Sequence, residues 1–472
     1  MKKFKYIILA VLAFSSVGCD DYLSPELESL INADNYYSTE EELEKGVINM
    51  YDGIQGVNST NANDYHALQV EFYVTEMRSD NTRTKAQEGE AAQFEFYTIE
   101  ANNGIVADYY RSFYNVIFRA NTVLENLGVA SPENALAFEA EAKFVRAYAY
   151  FNLVRLFGDI PLVDRILSAE DKEISFTRVP TSEIYDFIIS DLLVAVSGLD
   201  NTYKTRASRA AAQTLLAKAY LTVGTNYLDA QNLIEDVMSS GYALEPDFKD
   251  VFFNELNDEV IFAVGYEPDG IDSQNFSAEW LNAVGRTSGV NYTTQDSREA
   301  LDALGGDRTQ YSYRVDLDQP TQFQVVKYIP DGDTTLGINP TSVDPTAAGN
   351  DFIVIRYADV LLLHVEAIMA GGSSTSSPAA LESFRLVRER AGLTGDDDDN
   401  ITKQELLDER RVELAYENQR LFDLMRFGEA QAVLSAFSGA TGGSFTASDL
   451  LLPIPQYEIN LSQGLLTQNP GY

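Results

Sequence analysis

Apolar positions recur along much of this chain with a helical period. Residues 138–157 carry Phe138, Ala142, Val145, Ala149, Leu153 and Leu156 at spacings of four and three. Phe144, Tyr148 and Phe151 form a neighbouring stripe, so this helix is expected to be buried on two sides. Residues 182–199 repeat the pattern through Ile184, Phe187, Ile188, Leu192, Ala195, Val196 and Leu199, and 208–224 through Ala212, Leu215, Leu216, Ala219, Tyr220 and Val223. Segments 357–370 and 378–391 make a further pair, separated by the Gly/Ser/Thr run 371–377. Ser38-Thr39-Glu40-Glu41 and Thr402-Lys403-Gln404-Glu405 read as capping boxes, opening helices that run to about Gly53 and Glu417. Gly158-Asp159-Ile160-Pro161 reads as a helix stop, because glycine ends helices and the residue before proline avoids helical backbone. Paired helices with small residues at contact positions suggest helix-turn-helix repeats of the tetratricopeptide kind.

Two stretches break the period. Residues 240–350 hold strand-like pieces, Val260–Val264 and Phe323–Tyr328, among Gly, Asn, Asp, Ser and Thr. Residues 55–105 are also rich in loop formers. Long irregular segments in a compact chain usually carry function, so the helices read as scaffold and these segments as the working surface.

The N-terminus adds a location. Three lysines in Met1–Lys5 precede the apolar run Tyr6–Phe14, the small residues Ser15–Gly18 and then Cys19, the one cysteine of the chain. This is a cleaved export signal, too short to span a bilayer. A lone thiol at the cleavage point reads as a lipidation site, with residues 1–18 removed and the chain anchored through acylated Cys19. The remaining residues, 19–472, read as one unit, with an N-terminal part to about 225 and a C-terminal part from about 226 that contains the 240–350 insertion.

The charge narrows the chemistry. With 34 Lys and Arg against 72 Asp and Glu, the net charge is −38. Such a surface repels nucleic acid and anionic lipid. Only His66 and His364 are available as general bases or imidazole ligands. His364 lies in an apolar helical stripe (Val360, Leu363, Ala367, Ile368) and reads as a packed, hydrogen-bonded core residue. Thiol-histidine and Ser/His/Asp chemistry are therefore disfavoured, and phosphate-binding glycine motifs and HExxH are absent from the sequence. A carboxylate pair for glycoside hydrolysis is the enzymatic alternative, but no spacing singles one out among so many acids.

Several motifs, taken in order, resemble one family. Cys19-Asp20-Asp21-Tyr22-Leu23, Tyr36–Glu41 and Arg119-Ala120-Asn121-Thr122-Val123-Leu124 come first. Glu141–Val154 follows, then Phe157–Leu162, Ile355–Leu362, Glu409–Glu417, Leu452-Pro453-Ile454-Pro455 and Gln468–Tyr472. Together they are similar to the SusD/RagB family of outer-membrane lipoproteins of Bacteroidetes. The resemblance implies a mostly α fold, with four tetratricopeptide-like helix pairs as scaffold and irregular loops and a few short strands as the ligand face. It implies a non-enzymatic protein, anchored at Cys19 and facing the cell exterior. Such a protein captures an oligosaccharide, or in some members a peptide, and hands it to a SusC-like TonB-dependent transporter. A helical-repeat interaction protein without a small ligand is the third reading.

Ligand contacts are expected from loop aromatics and planar polar groups, since sugar rings pack C–H faces on aromatic rings and pair hydroxyls with amides, carboxylates and guanidinium groups. Trp280, in the polar setting Asn275–Asn282, leads the candidates, with Tyr266, Tyr292, Tyr311 and Tyr313 around it in sequence. The resemblance adds the stretch after Ser79-Asp80, with Asn81 and Arg83; Arg78 just before it is a further polar candidate, and Tyr97 follows. The alternation of Phe94 and Phe96 suits a half-buried strand. Arg410, Arg411, Glu413 and Glu417 read as scaffold ion pairs rather than ligand contacts. No metal or other cofactor is expected. Asp396–Asn400 and Asp331-Gly332-Asp333 read as solvated loops, and neither supports a structural calcium site.

Overall fold

The computed structural model describes residues 37–84, 89–168, 170–268, 270–281, 291–316, 320–394 and 399–472. The export signal, Cys19, the 85–88 part of the loop after Asp80, Asn282 and most of the Asp396–Asn400 run lie outside the described residues.

Eight helices follow one another as a packed series: α1 (Glu40–Gln55), α2 (Gly104–Glu125), α3 (Pro132–Phe157), α4 (Thr181–Gly198), α5 (Arg209–Val223), α6 (Tyr227–Met238), α7 (Tyr357–Met369) and α8 (Pro378–Arg390). Each packs against the next, so they form the expected four pairs. α3 is buried on more than one side, and Phe138, Phe144, Val145, Ala149, Leu153 and Phe157 are all buried, as the two stripes predict. Gly158 ends it in the left-handed region, with φ of 70°. α9 (Lys403–Glu413), α10 (Arg420–Phe427) and α11 (Ala430–Thr441) then close over the series. The Thr402 capping box forms as read, with Glu405. At α1 the cap is Thr39 with Glu42, one residue later than the sequence reading, because Glu42 reaches the backbone N–H groups of both Ser38 and Thr39. No helix among the described residues is long and apolar enough to cross a membrane.

The strands of three or more residues are short: β1 (Thr82–Thr84), β2 (Val260–Val264), β3 (Asn291–Thr293), β4 (Tyr313–Val315), β5 (Phe323–Val325) and β6 (Phe352–Arg356). They pair antiparallel as β1 with β3, β2 with β6 and β4 with β5. The β1–β3 ribbon joins the two irregular segments, one inserted between α1 and α2 and the other between α6 and α7. Phe94 and Phe96 lie in a short helix, Glu90–Phe96, not in a strand. Two positions are too few to fix a period, and here the helix buries Phe94 completely and leaves Phe96 half-buried.

The charges of α9 serve the scaffold, through links to distant elements. Glu413 accepts from Arg356 at 2.5 Å, from Arg308 at 2.7 Å and from Arg390. Glu417 meets Lys327 at 2.6 Å and Arg356 at 2.7 Å, and Glu259 binds Arg356 and Arg390. Burial pushes the Glu413 carboxyl up, but Arg390, Arg356 and Arg308 outweigh it and hold the group well below the usual carboxylate range. Arg410 bridges Asp359 and Asp423, each at 2.9 Å. His364 is buried in the core, with Nδ1 2.8 Å from Ser383 Oγ and Nε2 3.2 Å from Glu235.

Candidate ligand-binding cleft

The chain leaves α1 through Gly56, where φ is 74° and a Cβ would lie 2.0 Å from the His66 carbonyl oxygen. The loop closes through Val57 N–H donating to Tyr65 O at 2.9 Å. Asn58 Nδ2 donates to Ser273 Oγ and Thr346 O, both at 2.9 Å, fastening this loop to the second irregular segment. Gln69 ties the same two segments, donating to Ser273 O at 3.3 Å and accepting from Asn275 N at 3.1 Å. Gln55 and Tyr266 add a reciprocal pair: Gln55 Nε2 donates to Gly265 O and Tyr266 OH to Gln55 O, each at 2.8 Å.

Between these segments lies a cleft of about 290 Å³. Phe72 and Tyr73 make an aromatic wall, with ring centroids 4.1 Å apart, and Phe94 backs Tyr73 at 5.9 Å. Gln69, Asn275, Glu279, Glu90 and Asp108 bring amide and carboxylate groups to it. His66 sits at the base of the loop, with Nδ1 3.1 Å from Asp108 Oδ2 and Nε2 3.2 Å from Ser59 O. The Asp108 hydrogen bond raises the imidazole pKa against the opposing effect of burial. Glu90 Oε1 accepts from Gly104 N–H at 2.7 Å, and the Asn103 side chain accepts from Ile105 and Val106 N–H, so the start of α2 is pinned at the rim. On the other side of the 59–66 loop, Tyr65, Tyr110, Tyr114 and Phe176 line a second cleft of about 390 Å³ with Arg111 and Glu458. Tyr65 is 41% exposed.

The sequence-predicted contacts fare differently. Trp280 is only 2% exposed and packs behind the wall, with its ring 5.6 Å from Phe72 and 6.3 Å from Tyr416. It is a core residue, because aromatics from remote segments close over it. Tyr266 is buried beneath the cleft, at 4% exposure. Arg78 is fully buried and donates to Val74 O and Asp449 O. Asn81 is buried between Glu76 and Arg411. Tyr97 is buried too, ends the short helix at φ 55°, and donates to Arg78 O at 2.9 Å. All five serve packing in this structure. Arg83 and Tyr292 face each other across the β1–β3 ribbon, and Arg83 pairs with Glu95 at 2.5 Å. Tyr313 donates to Asp302 at 2.6 Å, and Tyr311 packs on a small separate apolar cluster. None of these four lines the 290 Å³ cleft. In the Asp331-Gly332-Asp333 turn, Asp333 holds Arg314 at 2.6 Å and the Thr335 N–H.

The sequence reading named the two segments but missed His66, Gln69, Phe72, Tyr73 and Asp108. The available signal was the aromatic pair Phe72-Tyr73 inside the loop-rich 55–105 stretch. Asp108 carries no local signal, since its role depends on a helix brought in from outside that stretch.

A helical-repeat protein with two long inserted segments converging on a surface cleft is a binding architecture, and the comparisons with known proteins place it. A family model described as "Starch-binding associating with outer membrane" matches residues 21–221, and one described as "SusD family" matches residues 317–472. The chain belongs to the SusD family. It is 27% identical to SusD-like protein P2 of Formosa agariphila, over the full length of both chains. It is 24% identical to the starch-binding protein SusD of Bacteroides thetaiotaomicron, over 77% of this chain and 78% of that one. Among solved structures, a laminarin binding SusD-like protein superposes with a TM-score of 0.76 at 25% identity, covering 92% of this chain and 100% of its own.

Proposed function

We propose that this protein is a surface-exposed outer-membrane lipoprotein, anchored through acylated Cys19, that captures an oligosaccharide and delivers it to a SusC-like TonB-dependent transporter. The observation that carries the reading is the cleft itself. Both irregular segments meet there, and they bring an aromatic wall together with amide and carboxylate groups, the combination that a pyranose with one apolar face and a hydroxyl rim requires. Relatives named for starch and laminarin binding support the ligand class. The role is read as binding without catalysis, in line with relatives named for starch and laminarin binding. Delivery to a transporter belongs to the same proposal, and the family resemblance of the chain supports it.

The test is calorimetry of the chain beginning after Cys19 against malto-, laminari- and cello-oligosaccharides and a peptide panel. Binding to one glycan class, weakened by Tyr73→Ala, is expected. Peptide binding with no glycan binding would contradict the reading and favour a peptide-capturing role.

A further inference from the structure

A larger groove, of about 630 Å³, lies between β1, the helix Gln295–Leu304 and the three closing helices α9, α10 and α11. One wall is the face of α11 carrying Val433, Ala436, Phe437 and Ala440, which the helical repeat places on one side. Phe437 is half-buried, and Ala436 and Ala440 are exposed. The other wall is charged and internally paired. Arg411 Nη2 lies 2.9 Å from Asp80 and 3.0 Å from Asp296, and Arg420 donates Nε and Nη2 to the two oxygens of Asp80 at 2.8 and 3.0 Å. Arg83, held by Glu95, and Asp408, which accepts from Gln404 at 2.9 Å, complete it.

Arg420 is 6% exposed, lines this groove, and its Nη1 is a buried donor with no hydrogen-bond partner. Such a donor seeks an oxygen. Guanidinium groups from Arg83, Arg411 and Arg420 meet carboxylates from Asp80, Asp296 and Asp408, so the groove has no net charge with which to select a polyanion or a polycation. The partner it fits accepts from Arg83, whose side chain is 30% exposed, donates to Asp296 and Asp408, and lays an apolar face on Phe437. A hydroxyl both donates and accepts, and a pyranose adds the flat C–H face.

We propose that this groove is a second saccharide subsite, separate from the cleft of Phe72 and Tyr73, which takes a neutral segment of the captured glycan. The proposal rests on the glycan reading above, and the test separates the two. Saturation-transfer NMR titrations use maltohexaose, laminarihexaose and cellohexaose as probes on the chain beginning after Cys19. The proteins compared are the unmodified protein, Tyr73→Ala, and Tyr73→Ala combined with Phe437→Ala or with Ala436→Trp. Ala436 is exposed, so tryptophan there fills the groove without disturbing the core. The hexaose bound by the unmodified protein is expected to keep a weaker saturable signal in Tyr73→Ala, and each groove change weakens that residual binding by about tenfold. No residual binding in Tyr73→Ala, or residual binding untouched by both groove changes, overturns the second subsite and leaves a structural water as the partner of Arg420. No hexaose bound by the unmodified protein removes the glycan reading and the subsite with it.

Discussion

Two charged regions of this molecule use the same residue types to opposite ends. Around Glu413, the guanidinium groups of Arg308, Arg356 and Arg390 converge on one fully buried carboxylate, and Glu259, Glu417 and Lys327 complete the set. Around His66, a half-buried imidazole and Asp108 stand beside a wet cleft with Gln69, Asn275 and Glu90. The first cluster is buried and its carboxylates are paired by its own neighbours, so it presents no open surface to a ligand. The second keeps amide and carboxylate groups within reach of solvent beside an aromatic wall. Charge in this protein thus holds the scaffold where it is paired and buried, and in the proposed reading it serves binding where it borders an open cleft.

Changes to the dry cluster should break stability first. Glu413→Ala leaves three guanidinium groups facing one another and is expected to cost about 3–5 kcal/mol in chemical unfolding, with ligand affinity of the folded fraction retained. A loss of affinity at full stability would reverse the roles of the two regions. Trp280→Ala empties a core position and is expected to cost a similar ~3–5 kcal/mol, read by the same unfolding curves. Little change in stability would mean that Trp280 is a surface ligand contact after all.

The position of Trp280 shows where sequence reasoning stops. The helices were legible because their burial repeats locally: the stripes of α3, α4 and α5 and the Thr402 box each lie within one segment. The two irregular segments were legible from their loss of period. Trp280 was not, because Asn275 and Glu279 report only its local polarity, whereas Phe72 and Tyr416 cover it from remote parts of the chain. Arg78 and Asn81 failed for the same reason, since Asp449 and Arg411 engage them through the fold. His66 and Asp108 are likewise a tertiary pairing.

A pH series sharpens the comparison at an intermediate scale. Burial pushes the Glu71 carboxyl, next to the aromatic wall, up to about 7 from an ordinary 4.5, and Glu76 behaves alike. The folded state therefore keeps a proton that the unfolded chain has released. The stability contributed by this group is full below pH 4.5 and is lost as pH rises through 7. Glu71→Gln, which still accepts from Tyr109, is expected to flatten that decline and to exceed the unmodified protein at pH 8 by on the order of 1–3 kcal/mol. Melting curves at pH 5 and pH 8 measure it, and an unchanged difference between the two pH values would show that Glu71 is ionised throughout. The smallest effect belongs to Thr402→Ala, which removes the α9 cap and is expected to cost about 1 kcal/mol with binding unaltered. Thermal unfolding reads this, and a loss of several times that size would tie the cap to the Glu413 cluster.

The division between a dry scaffold and a wet cleft is tested most directly by measuring affinity and unfolding together on Tyr73→Ala and Glu413→Ala, with the best glycan of the panel. The account predicts a crossed result. Tyr73→Ala loses about tenfold in affinity, the equivalent of roughly 1.4 kcal/mol, with a smaller loss of stability than Glu413→Ala, which keeps its affinity. Affinity retained in Tyr73→Ala and lost in Glu413→Ala would contradict it.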